Sequence, residues 1–141
     1  MIPVIFINCK SAPFVHDIML GQKQYETRTR NMLGHFIGER VLFAETGHGT
    51  PYVKCSAVID QVISVTTQEQ WNEYIDSARI PTGSKYDWKQ DTKIKWLYHL
   101  TDVRPVLPFH LPTDSLRHGR VWAECNKWYY ELDEIKAYFP C

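Results

Sequence analysis

Gly21-Gln22-Lys23-Gln24-Tyr25-Glu26-Thr27-Arg28 is the most unusual stretch of this 141-residue chain. A lysine, a glutamate and an arginine fall within residues 23–28, directly after a glycine. Upstream, Ser11 is a candidate helix N-cap and Pro13 sits where a first turn tolerates a missing N–H. Phe14, Val15, Ile18 and Leu20 form an apolar stripe, and Gly21 stands where a C′ glycine ends a helix. The spacing predicts a short helix over Ser11–Leu20. Read as extended chain, Gln24, Glu26, Arg28 and Arg30 share one face, and Lys23, Tyr25, Thr27 and Thr29 the other. A solvated helix end running into a polar edge strand accounts for this composition. So does a convergence of charged side chains where the chain turns, with Arg28 and Arg30 beside Glu26 to hold its carboxylate ionised.

Outward from this stretch, Pro3–Asn8 is a continuous apolar run, as in a buried strand. Glu39–Ala44 and Tyr52–Val65 read as strands joined by the turn residues Gly47-His48-Gly49-Thr50-Pro51, with a bend near Asp60. Thr67 with Gln70, or Thr66 with Glu69, has capping-box spacing. Trp71, Tyr74, Ile75 and Ala78 then mark an amphipathic helix near 67–79. Trp96–Leu107 reads as a strand in which Pro105 requires an edge position or a break. Residues 108–119 read as loop, Arg120–Cys125 as a last strand, and Tyr129–Phe139 as a closing strand or a helix. Short strands with two helices predict an α+β fold built on a strongly bent sheet or small barrel. A chain of this length is one domain, 1–141.

Sixteen basic residues balance sixteen acidic ones, which removes a domain-wide basic excess as an argument for nucleic-acid binding and leaves room for a local basic cleft. No apolar run approaches a membrane span, and MIPVIFINCK reads as a first strand, not a signal peptide. Cys9, Cys55, Cys125 and Cys141 are widely spaced, so free thiols in a reducing cytoplasm are expected, with no zinc site. The six histidines show no metal-binding spacing, and no cofactor is predicted.

The order G-x-K-x-x-E-x-R after a short helix, carried by Gly21, Lys23, Glu26 and Arg28, resembles the hallmark of the ASCH domain, a PUA-like β-barrel. Ile37-Gly38-Glu39-Arg40-Val41-Leu42-Phe43 is similar to the family's glycine-led strand. Trp96–Pro105, ending Asp102-Val103-Arg104-Pro105, is similar to its late strand. The likeness covers roughly residues 1–125. It implies a PUA-like small bent β-barrel, with a cleft between barrel and helices lined by Lys23, Glu26 and Arg28. It also implies RNA or a nucleotide-like small molecule as partner. In members that deacylate modified cytidine, a lysine activates a threonine three residues later, with a glutamate from a distant segment. Lys23 matches that lysine, but Glu26 stands at the nucleophile's position.

Two functions follow. One is a module binding RNA, a nucleotide or a nucleoside: Lys23 and Arg28 suit phosphate or a carbonyl oxygen, and Glu26 suits the amino group of a base. Arg30 and Arg120, the latter in the basic turn Arg117–Arg120, are further ligand contacts. The other is a small hydrolase of an acylated nucleoside or RNA, with Lys23 and Glu26 catalytic and Glu26 a base for water. The two cations would lower the basicity of Glu26, which favours binding. Glu69 and Glu73 are candidates for a distant acid. Tyr86 and Trp88 among the lysines of 85–95 have the composition of a stacking surface, which Asp87 and Asp91 blunt, so a solvated flap explains it as well. A patch at Trp128, Tyr129 and Tyr130 would instead suit a protein interaction domain.

Overall fold

The computed structural model describes residues 2–111, 116–118 and 121–125. Strand β1 (Ile2–Asn8) leads to helix α1 (Phe14–Met19), then β2 (Tyr25–Arg28), a short 3-10 turn (Gly34–Phe36) and β3 (Arg40–Thr46). Next come β4 (Tyr52–Val65), helix α2 (Gln68–Ala78), β5 (Lys95–His110), β6 (Leu116–His118) and β7 (Trp122–Cys125). The strands form one sheet in the order β2-β5-β4-β3-β1-β7-β6. β1 and β3 run parallel, and the other ladders are antiparallel. Among the described residues no ladder joins β2 to β6, so the bent sheet is open.

The apolar runs of β1 and β3 follow from burial on both faces. Ile5, Ile7, Val41 and Phe43 pack with α1, with Trp71 of α2 and with Tyr98. The alternate residues Val4, Phe6, Leu42 and Ala44 pack with Val53, Val106, Leu111 and Ala123. One face therefore carries the helices, while the other is covered by the far ends of β4 and β5 and by β7. Three irregularities in the β4–β5 ladder, one of them between Ile59 and Gln61, match the expected bend near Asp60. Asp102 occupies a positive φ of 49° at another, where three steps along β5 oppose two along β4. Its carboxylate is held by Arg40 and by Arg104. Pro105 pairs with Cys55 in the half of β5 that β2 does not reach, which is the edge position a proline needs.

Both helices form, with corrections at their starts. Pro13, not Ser11, is the N-cap of α1, and no side chain caps it. Ser11 lies two residues before that cap. Leu20, placed in the apolar stripe, is exposed, while Phe14, Val15 and Ile18 are buried. For α2, the Thr67 hydroxyl accepts from Gln70 N at 3.2 Å, but the Gln70 side chain returns to Thr66 N at 3.0 Å rather than to Thr67. The expected 108–119 loop is also corrected: β5 runs to His110, because Tyr52 and Val53 pair with its last two residues, and residues 116–118 form β6. Arg120, Cys141, the rings of Trp128, Tyr129 and Tyr130, and the 129–139 segment lie outside the described residues. Cys9 and Cys55 are buried free thiols, and Cys125 is buried.

Candidate functional site

The site begins at the end of α1. Gly21 adopts φ +75° and its N–H donates to Ile18 O at 3.0 Å, so the chain reverses there. Gln22 N and Lys23 N then both donate to Asp17 O, at 2.9 and 3.0 Å. Gln24 is threaded between α2 and β5: its N–H donates to Ser77 O at 2.6 Å and its carbonyl accepts from Leu100 N at 2.9 Å. Only at Tyr25 does extended pairing with β5 begin. This turn corrects the strand-parity expectation. Lys23 does not face away from Glu26 and Arg28; all three border one cavity.

Lys23 is 1% exposed. Its Nζ donates to Ala78 O at 2.6 Å and lies 4.8 Å from the centroid of the Phe14 ring. Burial pushes its pKa below the ordinary lysine value; Glu26 and Asp17 oppose the shift and Arg28 adds to it. Asp17, also buried, is 3.6 Å from Arg79 Nε.

Glu26 is 6% exposed. Its Oε1 accepts from Thr27 N at 2.8 Å, while Oε2 lies 3.8 Å from an Arg28 Nη and has no hydrogen-bond partner. Arg28 donates from Nη2 to Phe6 O at 2.8 Å, anchoring the guanidinium on β1, and its buried Nε is also unpartnered. Buried polar atoms without partners are uncommon and each costs free energy unless a ligand or water satisfies it.

The cavity beside these groups has a volume of about 90 Å³. Its polar border is Asn8, Lys23, Glu26, Thr27 and Arg28, and Phe14, Ile80 and Tyr86 form its apolar walls. Tyr86 meets Phe14 edge to face, with centroids 5.7 Å apart. Asn8 and Ile80 were not singled out from the sequence, and Phe14 only as part of the apolar stripe of α1. They come from β1, α1 and the residues after α2, and no local pattern ties them to residues 23–28.

Other expected site residues are elsewhere. Arg30 is exposed, beyond the end of β2, and does not border the cavity. Glu69 and Glu73 are exposed and do not border it either; the buried stripe of α2 is Trp71 and Ala78. The stacking surface at Tyr86 and Trp88 is corrected too. Tyr86 packs on Phe14, and Trp88 on Trp71 with centroids 6.3 Å apart. Asp87 beneath them accepts from Trp71 Nε1, Gly83 N and Trp88 N, each at 2.7 Å. The loop is therefore tied to the core. Among the described residues no three His, Cys, Asp or Glu side chains gather as metal ligands, and no helix is long and apolar enough to cross a membrane.

The fold is similar to that of solved ASCH structures. The crystal structure of ASCH from Zymomonas mobilis superposes with a TM-score of 0.64 at 22% identity, covering 77% of this chain and 73% of that one. A serine-to-alanine mutant of the same protein superposes with a TM-score of 0.70 at 20% identity, covering 89% and 88%. No protein-family model and no curated protein matches the sequence. At this identity the likeness is one of fold.

Proposed function

We propose that the protein binds RNA, a nucleotide or a nucleoside by inserting a base edge beside Lys23, Glu26 and Arg28. The observation that carries this reading is the pair of buried, unpartnered atoms, Glu26 Oε2 and Arg28 Nε, on two residues bordering one cavity. A ligand presenting an N–H donor next to a carbonyl or ring-nitrogen acceptor satisfies both kinds of group. An amino-substituted base has that edge. Phe14 and Tyr86 supply apolar walls, while the Lys23 ammonium adds positive charge where a carbonyl oxygen would sit. The cavity is well below the roughly 300–1,000 Å³ of sites that enclose a whole ligand, so it suits one end of a larger molecule.

The test is a thermal-shift panel of nucleosides, nucleotides and short RNAs. A ligand that binds only the native state raises Tm by mass action. A shift that disappears in Glu26→Gln supports the reading; no shift at millimolar nucleoside or nucleotide, and none with RNA, overturns it.

One observation favours hydrolysis as a second reading: the lowered pKa of Lys23. Once it has lost a proton, Nζ could donate to Ala78 O and still accept a proton from water. The water oxygen would add to the acyl carbon of an acylated nucleoside, and the proton held at Nζ would pass to the departing nitrogen or oxygen. Turnover of an N-acylated nucleoside that is lost in Lys23→Met supports this reading, and an intact substrate after prolonged incubation with wild-type protein removes it.

A further inference from the structure

The polar border of the cavity includes one side chain to which the base-binding reading gives no role. Asn8 is the last residue of β1, and it borders the cavity together with Ile7. Its Oδ1 accepts from Lys10 N at 2.9 Å. A backbone N–H requires an acceptor, so the amide oxygen must face Lys10 and the two N–H groups of Nδ2 form the other end. Among the described residues Nδ2 has no hydrogen-bond partner.

The turn between β3 and β4 closes on this amide. Gly47 has φ +98°, and a Cβ built on it would lie 2.9 Å from Asn8 Oδ1 and 3.2 Å from Lys10 N. In the same turn, His48 Nε2 lies 3.2 Å from Cys9 O. Cys9 N in turn donates to Thr46 O at 2.9 Å. Residues 46–48 thus clasp residues 8–10. Asn8 is exposed, yet the bond to Lys10 and the backbone of Gly47 fix the oxygen end of its side chain. Gly49 makes a natural contrast: its φ is +96°, but a Cβ there meets nothing within 4 Å. Of these two glycines only Gly47 is needed for close approach as well as for conformation.

Arg28 is anchored on the same strand, through Phe6 O, two residues before Asn8. The residues bordering the cavity therefore carry two donors without protein partners, Arg28 Nε and Asn8 Nδ2, beside one free acceptor, Glu26 Oε2.

We infer that Asn8 is a specificity-determining contact, whose Nδ2 donates to an acceptor oxygen of the ligand, and that Gly47 and His48 are the residues that position it. The inference rests on the base-binding reading above and deepens it.

The experiment measures affinity for the common ribonucleosides by thermal-shift titration, and for a short fluorescein-labelled single-stranded RNA by anisotropy. The nucleosides carry no charge, so their response is free of charge repulsion. The variants are N8D, G47A and G49A. N8D keeps an oxygen for Lys10 N and replaces the donor with a second oxygen. Its ligand-free Tm should stay close to that of wild type, while its affinity falls about tenfold or more. G47A and G49A impose similar left-handed strain, so both should melt lower. Only G47A displaces Asn8, so it should weaken binding about as much as N8D, while G49A binds as wild type does. Wild-type affinity in N8D would overturn the contact and leave the base site standing. Equal affinities in G47A and G49A would overturn the positioning role of the turn. Absence of any binding to the wild-type protein, by every nucleoside and by the RNA, would overturn the base-binding reading and this inference together.

Discussion

The Lys23 ammonium donates to the carbonyl of Ala78, 55 residues away, at 2.6 Å. Ala78 is the last residue of α2, so its carbonyl is one of those a helix C-terminus leaves unsatisfied, at the negative end of the helix dipole. One buried cation thus ties the turn after α1 to the end of α2, and it does so on the border of the cavity. Two substitutions separate its structural and chemical parts. Lys23→Met keeps the length of the side chain and buries well, so the lost hydrogen bond to Ala78 is partly offset by the removal of a desolvated charge. The expected change in urea-unfolding stability is about 1 kcal/mol or less. Lys23→Ala leaves a void as well, and should destabilise by about 3 kcal/mol. Ligand binding should fall at least tenfold in both. A methionine variant that unfolds as readily as the alanine one would show that the charge, not the packing, holds this junction.

The same burial gives stability a pH signature. Burial, the largest cause, holds Lys23 below the ordinary value of 10.5 in the folded protein. Below the folded pKa both states carry the proton and Lys23 contributes no slope. Between the folded pKa and 10.5 the unfolded chain binds more protons than the folded one, so stability rises with pH in that window. Buried thiols act in the opposite sense. Cys9 is pushed up to about 11 and Cys55 upward as well, chiefly by burial. Each keeps a proton in the folded state that the unfolded chain releases above pH 9, which lowers stability. Comparing wild type with Lys23→Met cancels the thiols. The wild type should gain stability relative to the variant as pH rises toward 10.5, checked by urea midpoints across the alkaline range. A constant difference would mean that Lys23 titrates normally.

The bounds of β4 and its bend were legible because Tyr52–Val65 alternates after a glycine-rich turn, and α2 because Trp71, Tyr74, Ile75 and Ala78 keep a helical period. The start of α1 was not. Ser11 looks like a cap, but Pro13 takes that place, and nothing local in the sequence distinguishes the two. At the site, the residue types of 23–28 pointed to a convergence, while strand parity placed Lys23 on the wrong side. Parity assumes extended chain, and residues 21–24 are not extended: the positive φ of Gly21 and two N–H bonds to Asp17 O override it. The remaining walls come from distant segments brought in by the sheet and the helices. The same limit explains Glu69 and Glu73, which share α2 with Trp71 but sit on its solvent side.

Asp87 is the key to the loop that closes the cavity. Its carboxylate accepts from Trp71 Nε1, Gly83 N and Trp88 N, each at 2.7 Å. Burial pushes its pKa up, but these bonds and Lys89 outweigh it, so the net direction is down from 3.8. Asp87 therefore contributes stability that is present above the unfolded value and lost as pH falls through the lower folded one. In Asp87→Asn, an oxygen can still face Trp71 and Trp88, but an NH₂ then meets the Gly83 N–H. The expected loss is about 2 kcal/mol at neutral pH. The acid limb of the variant's stability profile should be flatter than that of wild type. Equal acid limbs would show that the carboxylate titrates alike in both states.

Gly21 tests whether the turn alone sets the position of Lys23. A Cβ built there meets nothing within 4 Å, so substitution brings no clash; the cost lies entirely in the φ of +75°. Gly21→Ala should destabilise by about 1 kcal/mol. Gly21→Asn should cost less, because asparagine tolerates left-handed backbone. The ligand affinities of the two variants then decide the question. If the turn holds its shape under strain, both bind as wild type does and only stability falls. If the alanine variant relaxes by unwinding the turn, Lys23 is drawn away from Ala78, and binding should weaken in the alanine variant more than in the asparagine one. A shared loss of binding at equal stability would instead mean that open space beside Gly21, not its conformation, matters to the site.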